Sequence, residues 1–190
     1  MASRPPDFES LIARVASALQ SQGIRFMLIG GQAVLVHGEP RLTQDIDITL
    51  AATPDQLDDI LAVCDATDLE PLPEKVREFV NATFVLPAVE TTTSVRVDFI
   101  FSSTPYEQQA IERAVVVPVR DVRVPFATAE DLVLHKLFAG RPRDLEDAEG
   151  VVRRKGGELD WDYVEYWAAQ FAELPGREAM KDAVRRLKAH

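Results

Sequence analysis

With one cysteine in 190 residues, Cys64, the chain has no internal disulfide to staple it. Histidine is almost as scarce. His37, His135 and His190 are scattered, and no cysteine–histidine group has the spacing of a zinc site. No uninterrupted apolar run approaches the length that spans a bilayer, so no membrane association is expected. The first residues, Met1–Pro6, are short, polar and proline-bearing, with no apolar signal segment behind them, and the chain reads as cytoplasmic. Basic charge is also lacking: 31 acidic residues face 21 basic ones, a net charge of -10. A surface that tracks phosphates normally has the opposite balance, which argues against a large RNA footprint. It does not exclude a local pocket for divalent cations.

What is present is ordinary for a globular protein: 46% hydrophobic and 27% charged residues, enough for a core without staples. The length suits one domain or a domain with a small appendage. No internal repeat or low-complexity tract is evident.

The patterning predicts an α+β fold. Asp7–Gln22 has apolar residues at helical spacing and ends at Gly23. Arg25–Ile29 reads as a buried strand, Gly30-Gly31 as a break, and Gln32–His37 as a helix. Further strands are expected at Ile46–Leu50, within Phe79–Leu86, at Ser94–Phe101 and at Ala114–Val119. Thr53 is expected to cap a helix over Pro54–Cys64, and Pro105–Arg113 to be helical. After Pro125 the sequence predicts helices only: Thr128–Ala139, Arg143–Arg154, Asp160–Phe171 and Pro175–Lys188. The expected organisation is a mixed-sheet core with an N-terminal helix over residues 1–125, and a helical segment over 126–190 that completes a cleft.

The chemistry-bearing feature is Gln44-Asp45-Ile46-Asp47-Ile48-Thr49-Leu50. On a strand, Asp45 and Asp47 share one face while Ile46, Ile48 and Leu50 point into a core. Val95, Val97, Phe99 and Phe101 alternate in the same way, leaving Asp98 with Arg96 on the opposite face. If these strands are neighbours, three carboxylates converge. Crowded like charges call for cations. Mg2+ (or Mn2+) prefers oxygen ligands and is held by a few carboxylates together with substrate phosphates. Two such ions suit in-line phosphoryl chemistry on a nucleoside triphosphate (NTP). The plain alternative is that the aspartates belong to the solvent face of a half-buried sheet. Gly30-Gly31 precedes a helix start and can aim backbone N–H groups at a phosphate, or serve only as a turn.

The order Gly30-Gly31-Gln32, then Arg41-Leu42-Thr43-Gln44-Asp45-Ile46-Asp47, then Val97-Asp98-Phe99-Ile100, resembles the nucleotidyltransferase superfamily with its polymerase β-like fold. Lys136-Leu137-Phe138-Ala139-Gly140-Arg141-Pro142-Arg143-Asp144-Leu145-Glu146-Asp147 is similar to a downstream signature of the AbiEii-type abortive-infection toxins. The resemblance spans about Ile24 to Val152. It implies a twisted mixed sheet flanked by helices, and transfer of a nucleoside monophosphate from an NTP to an acceptor hydroxyl.

The resemblance further implies metal binding by Asp45, Asp47 and Asp98, with Lys136 and Asp147 completing the catalytic set. Gly30, Gly31, Gln32, Arg41, Thr43, Lys136, Arg143 and Asp144 would contact the nucleotide. A toxin–antitoxin or phage-defence setting follows, with a transfer RNA 3′ end as acceptor and a cognate antitoxin as partner. Gln32 departs from the serine of many relatives but keeps an amide donor. Asp147 is preferred over Asp144 as the functional aspartate.

On composition alone Lys136 lies off the apolar stripe of its helix and is expected to be solvated. Trp161, Val164, Trp167, Ala168 and Phe171 are expected to build core rather than stack on bases. Arg153-Arg154-Lys155 is expected to be a solvated helix end. Two rivals stand beside the main reading: an antibiotic-type enzyme with a small acceptor, and a non-catalytic binding module of the same fold.

Overall fold

The computed structural model describes residues 7–102 and 104–189. The chain groups into two compact units, one running to Ile29 and resuming over Thr43–Phe126, the other made of Gly30–Leu42 and the chain after Phe126.

The first unit contains one seven-stranded sheet: β1 (Phe26–Ile29), β2 (Asp45–Leu50), β3 (Leu69–Pro71), β4 (Val85–Glu90), β5 (Arg96–Phe101), β6 (Val115–Val119) and β7 (Val122–Phe126), in the order β3-β4-β5-β2-β1-β7-β6. β2 and β5 are parallel, as are β1 and β7, and the other neighbours are antiparallel, so the sheet is mixed. One face is the core. Phe26, Leu28, Ile46, Ile48, Leu50, Leu86, Ala88, Val97, Phe99 and Phe101 are all buried there, as the period of two in their strands requires.

Helix α1 (Phe8–Ser21) packs on β7 and on α3 (Leu57–Ala66), and Asp7 caps it by accepting from the Ser10 N–H. Thr104 and Glu107 form a reciprocal capping box at the start of α5 (Pro105–Arg113), which has the predicted limits.

Several expectations change. Phe79 lies in a helix, α4 (Val76–Thr83), not in a strand. Val80 is its only buried residue, and Phe84 takes a left-handed φ of 59° that ends the helix before β4 begins. The short strand β3 and the proline-bearing β7 were not expected. Thr53 makes no side-chain cap. Pro54–Gln56 is a 3-10 turn, and α3 starts only at Leu57.

The second unit contains α2 (Gly30–His37), α6 (Ala129–Ala139), α7 (Pro142–Lys155), α8 (Trp161–Phe171) and α9 (Met180–Lys188). Gly30-Gly31 forms the first turn of α2 rather than a break before it. Gly30 adopts a φ of 61°, which lets the chain turn from strand to helix without a loop. α2 packs on both α6 and α7. A Cβ at Gly38 would lie 3.1 Å from Val34 and 3.2 Å from Val151, so a larger residue would make both valines give way by a few tenths of an ångström. Thr128 and Asp160 cap α6 and α8. α9 starts at Met180, five residues later than expected, because Pro175–Ala179 is taken up by turns around Gly176, whose φ is 78°. Val164 and Ala168 are buried as expected, while the aromatic residues of α8 are only partly covered. Among the described residues, no helix is long and apolar enough to cross a membrane.

Candidate active site

In the first unit, β2 and β5 run parallel with Asp47 opposite Asp98 and Asp45 opposite Arg96. Register partners on adjacent parallel strands point to the same side, with their Cα atoms about 4.8 Å apart. Asp45, Asp47, Asp98 and Arg96 therefore occupy one face, at the start of both strands, opposite the core.

Thr43 donates to the Asp45 carboxylate at 3.2 Å. Arg96 donates through Nε to Asp98 Oδ1 at 2.8 Å. The Arg96 guanidinium is held above its ordinary pKa, first by the hydrogen bond to Asp98, with the charges of Asp98, Asp45 and Asp47 adding to it. One arginine thus stands in the field of all three carboxylates.

Among the described residues no group of three or more His, Cys, Asp or Glu side chains is placed so that it could hold a metal ion. That geometry does not conflict with magnesium. Magnesium needs only one or two protein carboxylates, and takes its remaining ligands from water and phosphate. By donor chemistry Asp47 and Asp98 fit the ion, with Asp45 two residues away on the same face.

A second ionic cluster lies wholly within the second unit. Arg41 grips Asp147 with two parallel hydrogen bonds, Nε–Oδ1 at 2.7 Å and Nη2–Oδ2 at 2.8 Å. Lys136 Nζ bridges Asp144 at 2.9 Å and Asp147 at 2.8 Å. Arg141 closes on Asp144 from the other side, with Nε–Oδ2 at 2.5 Å. Burial pushes both aspartates towards the neutral form, but Arg141 and Lys136 at Asp144, and Arg41 and Lys136 at Asp147, hold both pKa values below the ordinary carboxylate range.

Lys136 is therefore not the solvated lysine that composition suggested. Its side chain is only 7% exposed, because α6 is covered on most sides and offers no polar face at that position. Arg143 donates to the Leu42 carbonyl at 3.0 Å rather than to a carboxylate. Arg141, not singled out from the sequence, is part of the cluster. Its signal was its position three residues before Asp144 in the same motif.

Gln32 is buried in α2. His37 is buried, its Nε2 2.8 Å from the Ala127 carbonyl oxygen, a structural contact. Arg153 and Arg154 are exposed and Lys155 half-buried in the last turn of α7, the solvated helix end expected, and the three bond to Glu39, the Gly38 carbonyl and Glu158 respectively.

A family model described as "Nucleotidyltransferase of unknown function (DUF6036)" matches residues 8–188. No curated protein matches the chain. Among solved structures, an antigenic nucleotidyltransferase-like protein from Paracoccidioides brasiliensis aligns at a TM-score of 0.57 and 16% identity, covering 97% of this chain and 95% of that one. The antibiotic-resistance factor ANT(2'')-Ia aligns at 0.57 and 13%, covering 96% and 93%. The lincomycin-bound lincosamide antibiotic adenylyltransferase LnuA aligns at 0.52 and 13%, covering 77% and 96%. At these identities the likeness is one of fold.

Proposed function

Because the chain belongs to this family of nucleotidyltransferases, we propose that it moves a nucleoside monophosphate from an NTP to an acceptor hydroxyl, with Mg2+ (or Mn2+) at the carboxylate face. The observation that carries the reading is the register of Asp47 against Asp98 on parallel strands, with Asp45 on the same face.

Asp47 and Asp98 would hold the ion, and Asp45, steadied by Thr43, adds negative charge on the same face. When bound, the metal screens the triphosphate and stabilises the charge that develops on pyrophosphate. The acceptor oxygen bonds to the α-phosphorus while the bond to the β-phosphate oxygen breaks. Pyrophosphate leaves with that electron pair, and the acceptor's proton is drawn off towards Asp98. The helix N-terminus at Gly30-Gly31 is suited to a phosphate oxygen. The cluster of Arg41, Lys136 and Arg141 with Asp144 and Asp147 keeps one surplus positive charge, which also suits an anionic ligand.

Two acceptor classes follow from different observations. The AbiEii-like signature at Lys136–Asp147 favours a transfer RNA 3′ end, and with it a cognate antitoxin. The net charge of -10 favours a small molecule. The fold itself accommodates such a ligand in the lincomycin-bound LnuA structure.

Labelled NTPs with Mg2+ and either total RNA or a pool of small hydroxyl compounds test the activity. Incorporation that falls at least about a hundredfold in Asp47→Ala supports the reading. Incorporation that survives the substitution refutes the role of the carboxylate face. No incorporation with any acceptor favours a non-catalytic nucleotide-binding module. Product formation on RNA should fall steeply as salt rises, whereas a small acceptor should be nearly indifferent.

A further inference from the structure

The carboxylate face of the first unit continues past Asp98. Ile29 pairs with Asp47, Asp47 with Asp98, and Asp98 with Pro87, so these four side chains form one row across β1, β2, β5 and β4. At the Pro87 end of that row lies a groove of about 730 Å³, lined by Leu72, Glu74, Lys75, Phe79, Pro87 and Arg96 among others. A volume of this size suits a small organic ligand. Its apolar side comes from Leu72, 50% exposed, and Phe79, 39% exposed, two large apolar residues that both line the groove.

The charges of the groove are mostly spoken for. Lys75 pairs with Glu78 at 3.1 Å, and Arg96 is turned onto Asp98 at 2.8 Å. Glu74 makes no ion pair among the described residues. Beyond Arg96 stand Asp45 and Asp47. The groove is thus apolar along one side, and its Lys75–Glu78 and Arg96–Asp98 pairs leave Glu74 as one net negative charge that a metal on the carboxylate face would not cancel. A polyanion is repelled there, while a neutral or cationic molecule is not.

We propose that this groove is the acceptor site. It takes a small, hydroxyl-bearing molecule with an apolar face and a neutral or positive charge, whose hydroxyl reaches Asp98 from the Pro87 side. The acceptor role rests on the nucleotidyl-transfer reading, whereas the binding preference rests on the groove alone.

Amide-resolved NMR of the full chain tests it with three titrations. Phenylalaninol is the cationic probe, carrying a ring, a hydroxyl and an amine. Phenyllactate is its anionic counterpart. The magnesium complex of a non-hydrolysable ATP analogue reports on the nucleotide site. Phenylalaninol should shift the amides of Leu72, Phe79 and Arg96 with a dissociation constant on the order of 1 mM, as a ligand of that size allows. Phenyllactate should bind at least roughly fivefold more weakly. The paired substitution Leu72→Ala and Phe79→Ala, at exposed positions, should abolish the shifts.

No shifts up to about ten times that constant, shifts elsewhere, or equal binding of the anion would overturn the proposal. So would displacement of phenylalaninol by transfer RNA, which would assign the groove to a macromolecule. If the nucleotide complex leaves the Asp47 and Asp98 amides unmoved while phenylalaninol still binds, the transfer reading fails and the groove stands. The reverse pattern sinks the groove alone.

Discussion

Removing both anions from the buried cluster should leave Lys136 as an uncompensated charge. In the paired variant Asp144→Asn with Asp147→Asn, the ammonium keeps its position, 7% exposed, but loses both carboxylates, at 2.9 and 2.8 Å. Leaving a buried charge unpaired costs about 3–5 kcal/mol. For a chain of this length each kcal/mol lowers Tm by about 2–4 °C, so the fall should be roughly 6–20 °C. Both tryptophans, Trp161 and Trp167, lie on α8 in the second unit, so urea unfolding followed by tryptophan fluorescence reports on the unit that contains the cluster. Adding Lys136→Met to the paired variant makes the core of the cluster neutral at similar volume, and should recover more than half of the loss. A loss below about 1 kcal/mol, or no recovery with methionine, would refute the view that Lys136 is a buried charge compensated by these two carboxylates.

The same cluster sets a pH dependence. Asp144 and Asp147 have folded pKa values below their unfolded ones, so their contribution is complete above about pH 4 and is lost as pH falls through the folded values. Urea midpoints measured by tryptophan fluorescence should drop in that acid window, and drop less in the paired asparagine variant. Burial lowers the pKa of His37, so a separate loss should begin below about pH 6.5 as the unfolded imidazole takes up its proton first. Cys64 is fully buried, and burial pushes its thiol up to about 12, so a thiol reagent at mild alkaline pH should leave the native protein unlabelled and react fully in denaturant. Native labelling would contradict the packing of α3. Arg96→Gln removes the cation that competes for Asp98, and should tighten Mn2+ binding, read by the paramagnetic relaxation of water, by roughly fivefold; weaker binding would mean that Arg96 helps to build the site.

How much of this could be read from the sequence depends on how much of each signal was local. Strands β2 and β5 were legible because one face of each is wholly apolar while the other carries Asp45 and Asp47, or Arg96 and Asp98, and the helices α1, α5, α6 and α8 because Asp7, Thr104, Thr128 and Asp160 announce their starts. α4 was misread because Phe79, Val80, Phe84 and Val85 form a mixed apolar run that mimics a strand, while the helix buries only Val80. β3 is three residues long and is held by pairing with β4, a non-local cause that leaves no periodic trace. β7 is five residues long and carries Pro125, yet it pairs with β6 on one side and β1 on the other.

The sequence aligned Asp45 with Asp47, and Asp98 with Arg96, because both statements need only the period of a strand. It left open whether the two strands were neighbours, since pairing is decided by the whole sheet. The register answers this in a particular way: opposite Asp47 lies Asp98, and opposite Asp45 lies not a further acid but Arg96. Three like charges on adjacent strands would repel one another, and the arginine offsets one of them in the protein by itself. Arg96 also lines the groove beside Pro87. The residue that makes the carboxylate face tolerable to fold is therefore also the one that joins it to the groove. Arg96 thus stands between the carboxylates and the groove, paired with Asp98 at 2.8 Å.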